Sequence, residues 1–197
     1  ANPPWYLRAA ALAPLARGMQ QDTLLLADAV LQTKTDNPQF AYLAGLVHGR
    51  AGHFDQSIRL CTASIESAEP WVSKPMNWCV LAIAQAHLGR TELARGALTQ
   101  AEAALDAWTA ARLNRDLTSW LTDMSAPDTW PVPVEDFLEC AVLASEARRL
   151  LDLPPVVDPR SHVLRGRAFS ALRRWNSAVA EYEAAERRLP GDEQVRL

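Results

Sequence analysis

Three glycines set a period on this chain. Gly18 and Gly52 are 34 residues apart, and Gly89 follows 37 residues later. Each lies between two segments rich in Ala and Leu. A glycine in that place ends one helix and lets the chain reverse into the next. A lone helix pair cannot bury its apolar face. It has to stack on a neighbouring pair, so the period restricts the chain to an array of helix-turn-helix units. Arg173 extends the series by pattern. Seven residues before each turn stands a small residue: Ala11, Gly45, Ala82 and Gly166. Five after it stand Thr23, Ser57, Ala94 and Ala178, and twelve after it Val30, Ser64, Ala101 and Ala185. Small side chains at these intervals let the second helix lie close against the first.

The units differ in clarity. In the last, about 159–192, Gly166, Phe169, Ala178, Tyr182, Ala185 and Pro190 alternate small and aromatic residues before a helix stop at Pro190-Gly191. The third, about 75–108, opens with Trp78, Leu81 and Ala82. The second, about 38–71, begins at Asn37-Pro38, a capping residue followed by a proline in the first turn. The first carries Pro14 inside its first helix, which kinks or shortens it. From Gly89 to Arg173 is 84 residues, about 50 more than one period, so residues 109–158 read as an insertion or a degenerate repeat. Within it, 101–113 extends the preceding helix, and 123–133, with three prolines, is a loop. Residues 134–151 form a helix, its apolar face being Val134, Phe137, Leu138, Ala141, Ala144 and Leu151. Residues 152–159 form a proline-rich linker. No strand pattern is present.

The Trp78-x-x-Leu81-Ala82 opening and the spacing of small residues resemble the tetratricopeptide repeat over nearly the whole chain, with 109–158 as the departure. More narrowly, 78–90 and the helix end Ser145-Glu146-Ala147-Arg148-Arg149-Leu150-Leu151 are similar to repeat regions of large multidomain bacterial proteins of the planctomycete type. The resemblance implies an all-α fold, an α-solenoid superhelix of four helix pairs with a helical insertion. It divides as three repeats over 1–108, the insertion over 109–158 and a final repeat over 159–197, in one continuous solenoid domain. It implies a non-catalytic scaffold that binds a peptide or partner protein in its concave groove, as a module of a larger bacterial protein. Ala1 is not an initiator Met, which fits a processed terminus or a chain cut from something larger, and a repeat that begins almost at residue 1 favours the cut.

By register, the groove is lined by Trp5, Arg8 and Leu12, then Tyr42 and Leu46, then Met76, Cys79 and Ile83, with Arg160, Val163 and Arg167 at a basic end. Such a groove suits an amphipathic helix or an extended peptide with apolar anchors and an acidic flank. The bland alternative is that these side chains pack on neighbouring helices or under the insertion. One subclass of the resembled family grips a C-terminal carboxylate. Of the corresponding places here, held by Arg8, Leu12, Leu43, Met76 and Val80, only Arg8 could serve, so no such clamp is expected.

Other constellations weaken under the same test. Net charge is −3, which gives no general attraction to nucleic acid. Arg160, Arg165, Arg167, Arg173 and Arg174 could hold a polyanion such as RNA, but Glu181, Glu183 and Glu186 on the next helix offer them partners. His48, His53, His87 and His162 have no metal-ligand spacing, and neither a metal nor a cofactor is expected. Glu135, Asp136 and Glu139 sit at a helix start, where the helix dipole accounts for them. Cys61, Cys79 and Cys140 are far apart in sequence and read as reduced thiols packed in helices, which fits a cytoplasmic protein. There is no phosphate loop and no nucleophile elbow, so no enzyme is expected. Trp78 and Trp175 have places in the repeat. Trp120 and Trp130 are expected to pin the insertion. No apolar run is long enough to span a membrane. A second expectation is a structural spacer that self-associates through the solenoid ends.

Overall fold

The computed structural model describes residues 19–33, 37–113, 131–155 and 159–188. Among these are eight helices and no strand: α1 (Met19–Thr33), α2 (Pro38–Arg50), α3 (Phe54–Glu66), α4 (Met76–His87), α5 (Thr91–Leu113), α6 (Val134–Leu150), α7 (Pro159–Ala171) and α8 (Trp175–Arg188). The chain is therefore all-α over its described residues. Ala11, Pro14 and Gly18 of the first unit lie outside them, as do Trp120, Trp130, Pro190 and Gly191.

The turns predicted at Gly52, Gly89 and Arg173 share one backbone geometry. Their φ angles are 82°, 71° and 56°, all left-handed. In each, the N–H of the following residue returns to a carbonyl five residues back: His53 to His48 at 2.9 Å, Arg90 to Gln85 at 2.9 Å, and Arg174 to Phe169 at 2.8 Å. Those bonds satisfy carbonyls that the helix end would otherwise leave open. Asp152, which the sequence placed in a linker, makes a fourth copy. Its φ is 52°, and Leu153 N–H meets the Arg148 carbonyl at 2.9 Å. Aspartate tolerates this conformation better than most side chains, so a glycine search misses it.

Small residues at the predicted intervals are buried where paired helices meet. Ser57, Ala94, Ala178 and Thr23, five after the turns, are all buried, as are Ser64, Ala101 and Ala185, twelve after them. The contact is closest at the residue seven before the turn. A Cβ on Gly45 would stand 2.5 Å from Cys61 Sγ, and one on Gly166 would stand 2.5 Å from the Tyr182 ring. Both pairs are 16 residues apart, so α2–α3 and α7–α8 close against each other at the same register. In the third unit the equivalent positions, Ala82 and Leu98, are both buried.

The described residues form two compact units. The first includes residues up to Ala104 together with Cys140–Pro154, and the second Leu105–Glu139 together with residues from Pro155. Helices α5 and α6 lend residues to both. In the first unit α1 packs on α2, α2 on α3, and α3 on α4, with α2 also touching α4. A buried polar chain ties three of these elements. Ser64 Oγ donates to the Pro38 carbonyl at 2.7 Å, and Asn77 Nδ2 donates to Ser64 Oγ at 2.9 Å and to the Lys74 carbonyl at 2.8 Å. As the sequence indicated, Asn37 caps α2, its Oδ1 accepting from Gln39 N–H at 2.9 Å ahead of Pro38. In the second unit α7 packs on α8, and Val132, Phe137 and Leu164 form a buried core with Leu105, Trp108 and Leu138 around it.

Two outcomes follow. Gly166→Ala drives a methyl to 2.5 Å from the Tyr182 ring, so it should destabilise the protein by about 1–3 kcal/mol, seen as a lowered melting temperature. Adding Tyr182→Leu should recover most of that loss. Arg173→Gly should raise stability and Gly89→Ala lower it, each by about 1 kcal/mol, because only glycine adopts the left-handed turn without cost. Urea unfolding measures all four.

Candidate functional site

The face predicted to line a groove is formed by the first helices of the second and third units. Tyr42 and Leu46 on α2 and Met76, Cys79 and Ile83 on α4 are all there, and all five are buried. They are core residues in this structure, not an open surface. Tyr42 stacks at a tilt on Trp71, with ring centroids 5.3 Å apart. Arg160 and Arg167 lie on α7 of the final repeat, Arg160 exposed and Arg167 buried with Val163. Trp5, Arg8 and Leu12 lie outside the described residues.

Helix α6 meets that face at Cys79. Cys140 lies against Cys79 of α4, their sulfurs 3.5 Å apart, with Cys79 Sγ also 3.5 Å from the Cys140 carbonyl. Glu146 forms a two-pronged pair with Arg50 at the end of α2, one prong being Nη2 to Oε2 at 2.6 Å. Arg148 pairs with Glu102 of α5 and donates from Nε to the Pro154 carbonyl at 2.6 Å. The buried stripe of α6 is Phe137, Cys140, Leu143, Ala144 and Ala147, continued by Leu151 just past its end. The sequence had placed Val134, Leu138 and Ala141 on that face, and these are only half-buried. The stripe is rotated because Cys140 packs as an apolar residue and Ala147, set among charges, does too.

The titratable groups are mostly engaged structurally. His48 Nε2 is 3.0 Å from Asp28 Oδ1 and its Nδ1 is 3.3 Å from His53 Nδ1. His87 stacks on Phe54 at 4.6 Å with the rings 9° from parallel. Among the described residues no group of three or more His, Cys, Asp and Glu side chains is placed to hold a metal. Asp136 and Glu139 are buried and neither lacks a partner. Burial pushes the Cys61 thiol up, away from the reactive thiolate form.

The predicted pairing of α7 arginines with α8 carboxylates is present at Glu181. Its Oε2 accepts from Arg165 Nε at 3.1 Å and lies 2.7 Å from His162 Nδ1. Partial burial on its own would raise this carboxyl. The hydrogen bonds and charges of Arg165 and His162 outweigh that and hold it below the usual carboxylate range. With Arg165 paired and Arg167 buried, the arginine cluster presents less cationic surface than its sequence suggests. Burial also lowers the Arg167 guanidinium, with Tyr182 opposing the change.

The largest exposed apolar side chain among the described residues is Trp175. It is 58% exposed at the start of α8, one turn from Val179 at 54%, with Leu172 beside them in sequence at 37%. Trp175 stands two residues after its turn, where the second unit has Phe54. Phe54 is covered by His87 of α4, the next first helix. Val179 corresponds in the same way to Ile58 of α3, which is half-buried.

Glu181 carries a pH signature. A carboxyl depressed in the fold contributes stability above its unfolded value, about 4.3, and loses it as pH falls through the folded value. Glu181→Gln should therefore be less stable than the parent at pH 7, and the gap should close on acidification below about pH 4. Thermal melts across pH 3–7 provide the comparison. Set against known proteins, the sequence matches no protein-family model and no curated protein.

Proposed function

We propose that this chain is a non-catalytic protein-interaction scaffold of the tetratricopeptide kind. The observation that carries the reading is the recurrence of one helix-turn-helix geometry. The same left-handed turn, the same returning hydrogen bond and the same 16-residue close approach occur in units far apart in sequence. Arrays of this sort present preformed helical surfaces, which lowers the entropy cost of binding. The use of such an array is recognition by shape.

The surface best suited to a partner is the outward side of α8. Trp175 and Val179 occupy the register that α4 covers on α3 in the second unit. A partner that offers an amphipathic helix would complete on α8 the packing that α4 completes on α3. Buried aromatic anchors of this type dominate interface energies. The same face favours a second reading, self-association, in which another copy supplies the covering helix. Among the described residues no helix is long and apolar enough to cross a membrane, so a lipid-spanning role gains no support from them.

The test compares the parent with Trp175→Glu/Val179→Glu. Both residues are exposed, so the variant should keep its helical circular dichroism. A partner recovered by the parent from its source lysate, then purified, should bind the variant at least 30-fold more weakly, which corresponds to about 2 kcal/mol or more. If self-association is the role, light scattering should instead show the parent as an oligomer and the variant as a monomer. Equal binding by both proteins would remove α8 as the site.

A further inference from the structure

The three cysteines have separate packing roles. Cys61 fills the space over Gly45. Cys79 and Cys140 face each other across the α4–α6 contact with sulfurs 3.5 Å apart, both buried and 61 residues apart in the chain. A disulfide needs sulfurs at about 2.05 Å, so small side-chain rotations on two packed helices bring them to bonding distance. The surrounding ion pairs hold the register. Arg50–Glu146 and Arg148–Glu102 fix the α6 segment that begins at Cys140 to α2 and α5. The segment therefore returns to the same alignment after any local opening.

We propose that Cys79 and Cys140 form a reversible disulfide that locks α6 onto α4, with a small hydroperoxide as oxidant. During a local opening of α6, the thiolate of one cysteine attacks the peroxide oxygen, breaking the O–O bond. It becomes a sulfenic acid, and one water is released. When α6 closes, the other thiol attacks that sulfur, forms the S–S bond and releases a second water. Two thiols and one hydrogen peroxide thus give one disulfide and two waters. A dithiol reductant reverses the step by exchange. The lock closes a loop of about 60 residues, which by loop entropy is a large constraint on the unfolded chain. It also fixes the helix that meets α4 at Cys79 and α2 at Arg50. This inference does not depend on what the protein binds.

The experiment is peroxide oxidation of the whole chain followed by intact and peptide mass measurement. The expected product is 2 Da lighter, carries a crosslink between the Cys79 and Cys140 peptides, and keeps one alkylatable thiol, Cys61. Its melting temperature should rise by on the order of 10 °C and fall back on addition of dithiothreitol. Hydrogen exchange of amides in 140–150 should slow in the oxidised form. Cys79→Ser and Cys140→Ser should each abolish the 2 Da loss, and Cys61→Ser should retain it. A crosslink that includes Cys61, crosslinking only between molecules, stepwise oxidation of single cysteines to sulfinic acid, or no change in mass would each overturn the proposal.

Discussion

The close approach of two helices through an absent side chain supports the rest of this structure. At Gly45 and Gly166 a single carbon more would stand 2.5 Å from the partner helix. Packing at that distance brings the backbones together and buries Ser57, Ser64, Ala178 and Ala185, whose small side chains could not otherwise fill the gap. Because the turn places the two helices in fixed register, the same contact, between residues 16 apart, recurs at Gly45 and at Gly166. The left-handed residue at the turn and the small residue seven before it are thus two parts of one device.

Helix α6 uses the product of that device differently from a further repeat. It buries a stripe of Cys, Leu and Ala, meets α4 through Cys140, and is tied down by Glu146 and Arg148. These pairs are partly buried and one is two-pronged, so they specify alignment more than they add stability. The result is that the face richest in large apolar residues on the first helices is core. Among the described residues, the exposed apolar side chains include Trp175 and Val179 on α8, the face on which the proposed recognition rests.

Much of the local structure was legible in the chain. Asn37-Pro38 announced the start of α2, and Gly52, Gly89 and Arg173 announced three turns. The small residues at fixed offsets from those turns marked buried positions correctly. Each of these signals lies within one helix pair, where spacing and backbone preference act over about 20 residues or fewer. The turn at Asp152 was missed because its residue is not glycine. The stripe on α6 was misjudged because Cys140 and Ala147 do not look apolar among their charged neighbours.

The sequence by itself determined that the chain is helical, where its helices pair, and which positions must be small, because those demands are periodic and short in range. Only the tertiary structure decided that α6 returns to α2 and α4, where Cys79 meets Cys140 and Arg50 meets Glu146. Those partners are 61 and 96 residues apart. Contacts at such separation follow from how whole helices fill space against one another, and no local pattern of residues encodes them.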